Sequence, residues 1–234
     1  YVNTLLREIS PELRFDKQTA IVLTDESLLM PLLHSLPAEI SKDVNVTMGY
    51  PLRQTTAYSL VERLIELQKN ARNTNFYHAD VVGVLSHPYI TETFGETTYE
   101  LQNKIIEGRY IRVDREFFAE HKELHSIFSA TNNYSELSSY IVNVLNTLAQ
   151  HSSNEEEDTL KLSYISLITD NIIKLENCLK ECDIDISISI YTSLLRRHLL
   201  NVRIPFSGEP LRGLQIMGIL ETRNVDFRNV IILS

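Results

Sequence analysis

The chain has 234 residues, 43% of them hydrophobic, and a formal net charge of −9 at neutral pH. That length and apolar content suffice for one large core or two small ones, which excludes a disordered polar chain. No apolar run approaches the roughly 20 residues that cross a bilayer, and no basic, apolar leader opens the sequence, so neither a membrane span nor secretion is expected. The two cysteines, Cys178 and Cys182, lie four apart in a helical pattern. A disulfide framework is therefore not expected, and the cytoplasm is the expected compartment. Tyr1 at the start, and the apolar run Val230-Ile231-Ile232-Leu233 just before Ser234, read as the ends of a piece excised from a longer protein.

Val2, Leu5, Leu6, Ile9 and Leu13 repeat at helical spacing and predict a helix over residues 2–14. The short apolar run Thr19-Ala20-Ile21-Val22-Leu23 predicts a buried strand. Asp25 is suited to cap a helix whose apolar face is Leu28, Leu29, Leu32 and Leu33, ending by Pro37. Val44 to Met48 alternates as a strand that Gly49-Tyr50-Pro51 closes. Strand, helix and strand in this order form the unit from which parallel α/β layers are built.

From Thr56 the period changes. Residues 59–71, 99–106, 134–148, 160–179 and 186–200 carry apolar residues three and four apart, predicting a run of helices. Residues 110–113 are the one short strand expected there. Residues 151–158 read as a solvated connection entering the acidic first turn of a helix. Two apolar runs, 213–219 and 229–233, then restore the α/β pattern. Charge divides the same way: residues 1–75 hold 8 Lys and Arg against 9 Asp and Glu, residues 76–200 hold 10 against 19, and residues 201–234 hold 4 against 3. An acidic helical insert is ill suited to gripping DNA by itself and better suited to a basic protein surface.

His121 and His125 would share one face of a helix, as a zinc site requires. Glu123, however, is one position late for the zinc-protease pattern, and the sequence suggests no third ligand, so exposed helix histidines are expected. Cys178 and Cys182 have no second Cys or His pair near them and are expected as core or half-buried thiols. With only 7 glycines, the chain contains no phosphate-cradling glycine loop followed by Lys. Nor does a nucleophile sit on a tight glycine-flanked turn. What remains is a group of residues at strand ends: Tyr50, Arg53 and Gln54 after one strand, Arg223 and Asn224 after another. Loops at the carboxyl ends of parallel strands are where α/β proteins bind ligands, so these five are candidate phosphate contacts.

The two ends of the chain resemble the second RecA-like domain of superfamily 1 helicases of the UvrD and RecB type. A strand of the form I-A-V-L, a helix, and a strand ending Gly-x-Pro-Leu correspond to Thr19–Leu23 and to Gly49-Tyr50-Pro51-Leu52. The motif V-x-x-M-T-I-H-x-A-K-G-L-E-F and its following apolar strand correspond to residues 214–227 and then 230–233. Phe76 to Leu85 is similar to the opening of the helical insert in AddB-type helicase-nuclease subunits. Where active helicases carry Thr and His this chain has Gly218 and Leu220, and Arg223-Asn224 stands in place of Lys-Gly.

The resemblance implies an α/β fold, a partial RecA-like (P-loop-NTPase-type) parallel sheet interrupted by a large all-α insert. The domains would be 1–55 with 205–234 (RecA-like) and 56–204 (helical insert). It further implies a degenerate helicase half of a bacterial recombination-repair exonuclease subunit that guides single-stranded DNA beside a helicase-nuclease partner subunit. No catalytic residue, metal or cofactor is expected in this chain; ATP, Mg and the PD-(D/E)XK nuclease chemistry would belong to other parts of the parent protein. The alternative expectation is an interaction module whose acidic insert docks a partner subunit.

Overall fold

All five residues of Thr19-Ala20-Ile21-Val22-Leu23 are buried, and they form the first strand, β1 (Thr19–Leu23). The computed structural model describes residues 18–36, 44–152, 156–204, 213–223 and 225–234; side chains 26 and 156–160 are not described. The helix expected over residues 2–14, Asn224, and part of the connection expected over 151–158 lie outside the described residues. In chain order β1 is followed by α1 (Leu29–Ser35), β2 (Val44–Val46), β3 (Tyr50–Pro51), α2 (Thr56–Lys69), β4 (Asn75–Tyr77), α3 (His78–Leu85), α4 (Pro88–Phe94) and α5 (Glu96–Glu107). Then come β5 (Arg112–Asp114), α6 (Lys122–Ile127), α7 (Tyr134–Gln150), α8 (Glu156–Glu181), α9 (Ile188–Leu200), β6 (Arg203–Ile204), β7 (Leu214–Gly218) and β8 (Asn229–Leu233). Among the described residues no helix is long and apolar enough to cross a membrane. The chain divides into two compact units, Tyr1–Pro51 with Arg203–Ser234, and Leu52–Val202.

The first unit is α/β. Its four-stranded sheet has the order β2-β7-β1-β8, and every neighbouring pair is parallel. β1 and β7 are central and buried along their whole length, as the near-continuous apolar runs in the sequence require. Register sorts the side chains into two faces. On one, Val46, Ile216, Ile21 and Ile231 stand in a row, with Leu23 and Leu233 in the next, and α1 covers them with Leu29 and Leu32. On the other face Asn45, Gln215, Ala20 and Val230 form a row beside Met217, Val22 and Ile232. The polar pair in that row is buried and satisfied, with Asn45 Nδ2 donating to Gln215 Oε1 at 2.6 Å and Gln215 Nε2 donating to the Gly213 carbonyl at 2.9 Å. Asp25 caps as expected, but one turn early: its carboxylate accepts from Ser27 N–H at 2.8 Å and opens the 3-10 turn Glu26–Leu28 that leads into α1.

The second unit is mostly helical. Four of its helices begin at side-chain caps among the described residues: Thr55 accepts from Tyr58 N–H, His87 from Tyr89 N–H, Asn133 from Glu136 N–H, and Ser187 from Ile190 N–H. Leu60, Val61, Leu64, Ile65 and Leu67 bury one face of α2. Arg196 of α9 clamps the partly exposed face, donating through Nε to Glu62 at 2.9 Å and through Nη2 to Glu66 at 2.8 Å. Gln68 braces the segment before α7, donating to the Ser129 carbonyl at 2.8 Å and accepting from Thr131 N–H and hydroxyl at 3.1 and 3.2 Å.

Three sequence expectations need correction here. The insert is not all helix, because β4 and β5 pair antiparallel. Phe76 of β4, opposite Val113, packs edge-on against Phe128, which in turn stacks on Phe118 with centroids 4.0 Å apart. β5 falls on the strand expected at 110–113, but the three residues of β4 offer too little alternation to read from sequence, and Phe76 and Tyr77 look like the start of the helix that follows. Cys178 and Cys182 are exposed rather than half-buried, because the apolar face of α8 there runs through Ile172 and Leu179. His121 and His125 do not share a helix face: α6 starts at Lys122, and His121 has non-helical backbone angles.

Gln68→Ala removes three hydrogen bonds from one buried brace and leaves the Ser129 carbonyl and Thr131 N–H without that partner. A loss of about 1–3 kcal/mol is expected in urea unfolding followed by helical circular dichroism. Amide exchange at residues 129–131 should quicken with it.

Candidate nucleic-acid interface

A parallel sheet sends all its strands' carboxyl ends to one edge, and the loops leaving β2 and β7 there come from neighbouring strands. Pairing extends one residue past β2, with Thr47 N–H donating to the Ile216 carbonyl at 3.0 Å. Gly49 follows. A Cβ on it would lie 2.7 Å from Cβ of Arg203, so only glycine lets β6 approach this closely. Tyr50 is half-buried against the unit's core, opposite Ile204 in the β3–β6 pair, and this burial raises its hydroxyl pKa. Arg223 is exposed at the end of the 3-10 turn Leu220–Thr222 that follows β7. Arg53 and Gln54 are exposed in the 3-10 turn Leu52–Gln54 and belong to the other unit. The structure thus places Tyr50 and Arg223 on neighbouring strand-end loops of one unit, with Arg53 and Gln54 at the start of the second; Asn224 lies outside the described residues.

Two residues of this edge escaped sequence reasoning. Arg203 Nη1 lies 3.5 Å from the Gly49 carbonyl, adding a cation beside Tyr50. The short alternation Val202-Arg203-Ile204 was its only sequence sign. Glu221 folds its carboxylate back over Gly218, so that a Cβ on Gly218 would meet Glu221 Oε2 at 2.5 Å. Asp25, after β1, is a second exposed acid on the edge, its pKa lowered by the Ser27 N–H and hydroxyl. The edge therefore mixes two arginines with two carboxylates, a pattern for local phosphate contacts rather than a broad basic field.

Among the described residues no group of three or more His, Cys, Asp or Glu could hold a metal ion. The first unit also carries an apolar cavity of about 430 Å³ lined by Val22, Ile219, Phe227, Val230 and Ile232 among others. A wider open groove of about 630 Å³ in the second unit is lined by hydroxyls and amides, including Ser129, Ser135, Ser139 and Asn143.

One geometry resembles a nucleophile and its base. Ser59 Oγ lies 2.9 Å from His87 Nε2. The imidazole is however spent on capping α4, where Nδ1 accepts the Tyr89 N–H at 3.3 Å. Nδ1 thus holds the lone pair and Nε2 the proton, so the ring cannot take a proton from Ser59. Burial pushes the pKa of His87 down to about 4, with Arg63 adding to the shift and a bond to the Thr56 backbone opposing it. No protein-family model matches the chain, and no curated protein matches it.

The depressed His87 pKa has a defined consequence for stability. Between about 4 and the unfolded value of 6.5 the unfolded chain binds the extra proton, so the contribution of His87 is complete above pH 6.5 and is lost as pH falls toward 4. Unfolding midpoints measured across this window should fall with pH, and the slope should flatten in His87→Asn, which can still cap α4. An NMR titration placing His87 near 6.5 would contradict the assignment.

Proposed function

We propose that this chain is a non-catalytic, RecA-like (P-loop-NTPase-type) portion of an AddB-like helicase-nuclease subunit, acting in DNA repair and recombination in the cytoplasm to guide single-stranded DNA. The observation that carries the reading is the order β2-β7-β1-β8, in which a strand from beyond the insert lies between the first two and brings two strand-end loops side by side. A crevice beside such neighbouring loops is the place where open α/β sheets take anionic ligands. Arg223 and Arg203 would contact phosphates and the exposed part of Tyr50 would stack on a base, while Arg53, in the other unit, would be a separate phosphate contact. Glu221 would hold the affinity down by facing the same phosphates. ATP, Mg and exonuclease chemistry would reside in other parts of the parent protein, and a helicase-nuclease partner subunit would complete the assembly.

A second reading, in which the helical unit docks a partner subunit, is favoured by its charge. Residues 52–202 hold 14 Lys and Arg against 21 Asp and Glu. Such an excess suits a basic protein surface. The two readings concern different units and are compatible.

Fluorescence anisotropy of labelled oligo(dT) over a range of salt tests the DNA reading. Replacing Arg53 and Arg223 together by Ala should weaken binding about tenfold and lower the salt slope by about 1.4, the loss of two phosphate contacts on a single strand. Glu221→Gln should tighten binding by about two- to threefold. Absence of binding by the unmodified chain at low salt would overturn the proposal and leave partner docking as the function.

A further inference from the structure

The acidic helical unit carries a cationic, aromatic surface at the end of the β4–β5 pair. Antiparallel register sets Tyr77 opposite Arg112, so the end of β4 and the start of β5, preceded by Arg109-Tyr110-Ile111, lie at the same end of the pair. Tyr77, Tyr110 and Ile111 are 40%, 43% and 74% exposed, although such side chains normally seek cover. Residues 69–80 and 104–115 together hold 6 Lys and Arg against 3 Asp and Glu, the reverse of the unit's overall balance. Two of those three acids are occupied. Asp80 accepts from Asn70 Nδ2 at 2.9 Å, and Asp114 accepts from the Thr74 hydroxyl at 2.8 Å and Glu116 N–H at 2.9 Å.

The backbone at Arg109 is the second observation. α5 ends with Arg109 N–H bonding the Ile106 carbonyl and Tyr110 N–H bonding the Ile105 carbonyl, a closure whose turning residue adopts left-handed angles. That residue is Arg109, at φ 50°. Glycine fits there at less conformational cost, and the other non-glycine residues at positive φ among the described residues, Asn73 and Asp183, belong to types that tolerate it. Tyr110 then folds over Gly108, where a Cβ would meet the ring at less than contact distance, and packs against Phe117 with centroids 5.5 Å apart. Arg112 Nη1 donates to the Asn70 and Asn75 carbonyls at 3.3 and 3.2 Å, fixing the neighbouring guanidinium. The chain thus accepts a strained turn at a cation that immediately precedes the held ring of Tyr110.

We propose that this surface binds a single-stranded polynucleotide, with bases stacking on Tyr77 and Tyr110 and phosphates held by Arg109 and Arg112. Flat rings interleaved with guanidinium groups are what unpaired bases and their backbone require. The site belongs to the helical unit, is separate from the strand-end loops, and stands without them.

The test uses the full chain with labelled oligo(dT) and oligo(U), which separate DNA from RNA as the source of the strand. Arg109→Gly should leave the unfolding midpoint unchanged or raised, yet weaken binding about fivefold and lower the salt slope by about 0.7. Arg109→Lys should keep both charge and binding, and Tyr77→Ala with Tyr110→Ala should weaken binding at every salt concentration. Binding unchanged in Arg109→Gly and in the tyrosine variant, but lost on replacing Arg53 and Arg223, would overturn this inference and leave the strand-end loops as the DNA site. The converse pattern would support the surface and overturn the loops, and failure of the unmodified chain to bind either oligonucleotide would overturn both.

Discussion

The parallel pairing of β1 with β7 is the contact on which the first unit depends. Ala20, Ile21, Val22 and Leu23 meet Gln215, Ile216, Met217 and Gly218, partners from opposite ends of the chain. Without β7 the sheet has no centre: β2 pairs with β7 alone, and β1 keeps only β8. Closing so long a loop costs chain entropy, though the cost grows slowly with length. An insert that forms its own helical unit between Pro51 and Arg203 relieves part of that cost, because its ends are brought together by β3 pairing with β6. The pairing of β2 with β7 sets the loops after those two strands side by side at the carboxyl edge.

Much of this was legible in the sequence where the pattern was long or apolar. β1, β7 and β8 are buried or half-buried runs bounded by polar residues, and α2, α5, α7, α8 and α9 have clear helical spacing, so each was expected within a few residues of its observed bounds. β5 lies within two residues of the strand expected at 110–113, but β4 was not expected, since three residues cannot establish a period and its identity rests on the tertiary pairing of Phe76 with Val113. The exposure of Cys178 and Cys182 was misjudged because α8 buries a narrow stripe rather than a broad face. Of the candidate site, residue type and strand-end position pointed to Tyr50 and Arg223, but no sequence rule announces that Glu221 would bend back over Gly218 or that Arg203 would lie along Gly49.

Electrostatics and chemistry agree on a restrained role. The buried imidazole of His87 is committed to a cap, the exposed cysteines stand apart from other candidate ligands among the described residues, and at the strand-end edge Arg203 and Arg223 share the surface with Asp25 and Glu221. Under the proposed reading such a surface would hold a charged strand loosely and locally, which is what guiding requires, whereas a continuous basic groove would arrest it. The acid of the helical unit would further limit nonspecific adhesion to nucleic acid.

The division into a sheet closed from both ends of the chain and an insert folded on its own is tested most directly by native-state hydrogen exchange on the intact chain. The amides of Ile21, Val22, Ile216 and Met217 should open together, with one free energy and one denaturant dependence distinct from those of α2 and α7. If β1 and β7 amides exchanged with different free energies, or β1 opened while β7 stayed protected, the central pairing and the account built on it would be wrong.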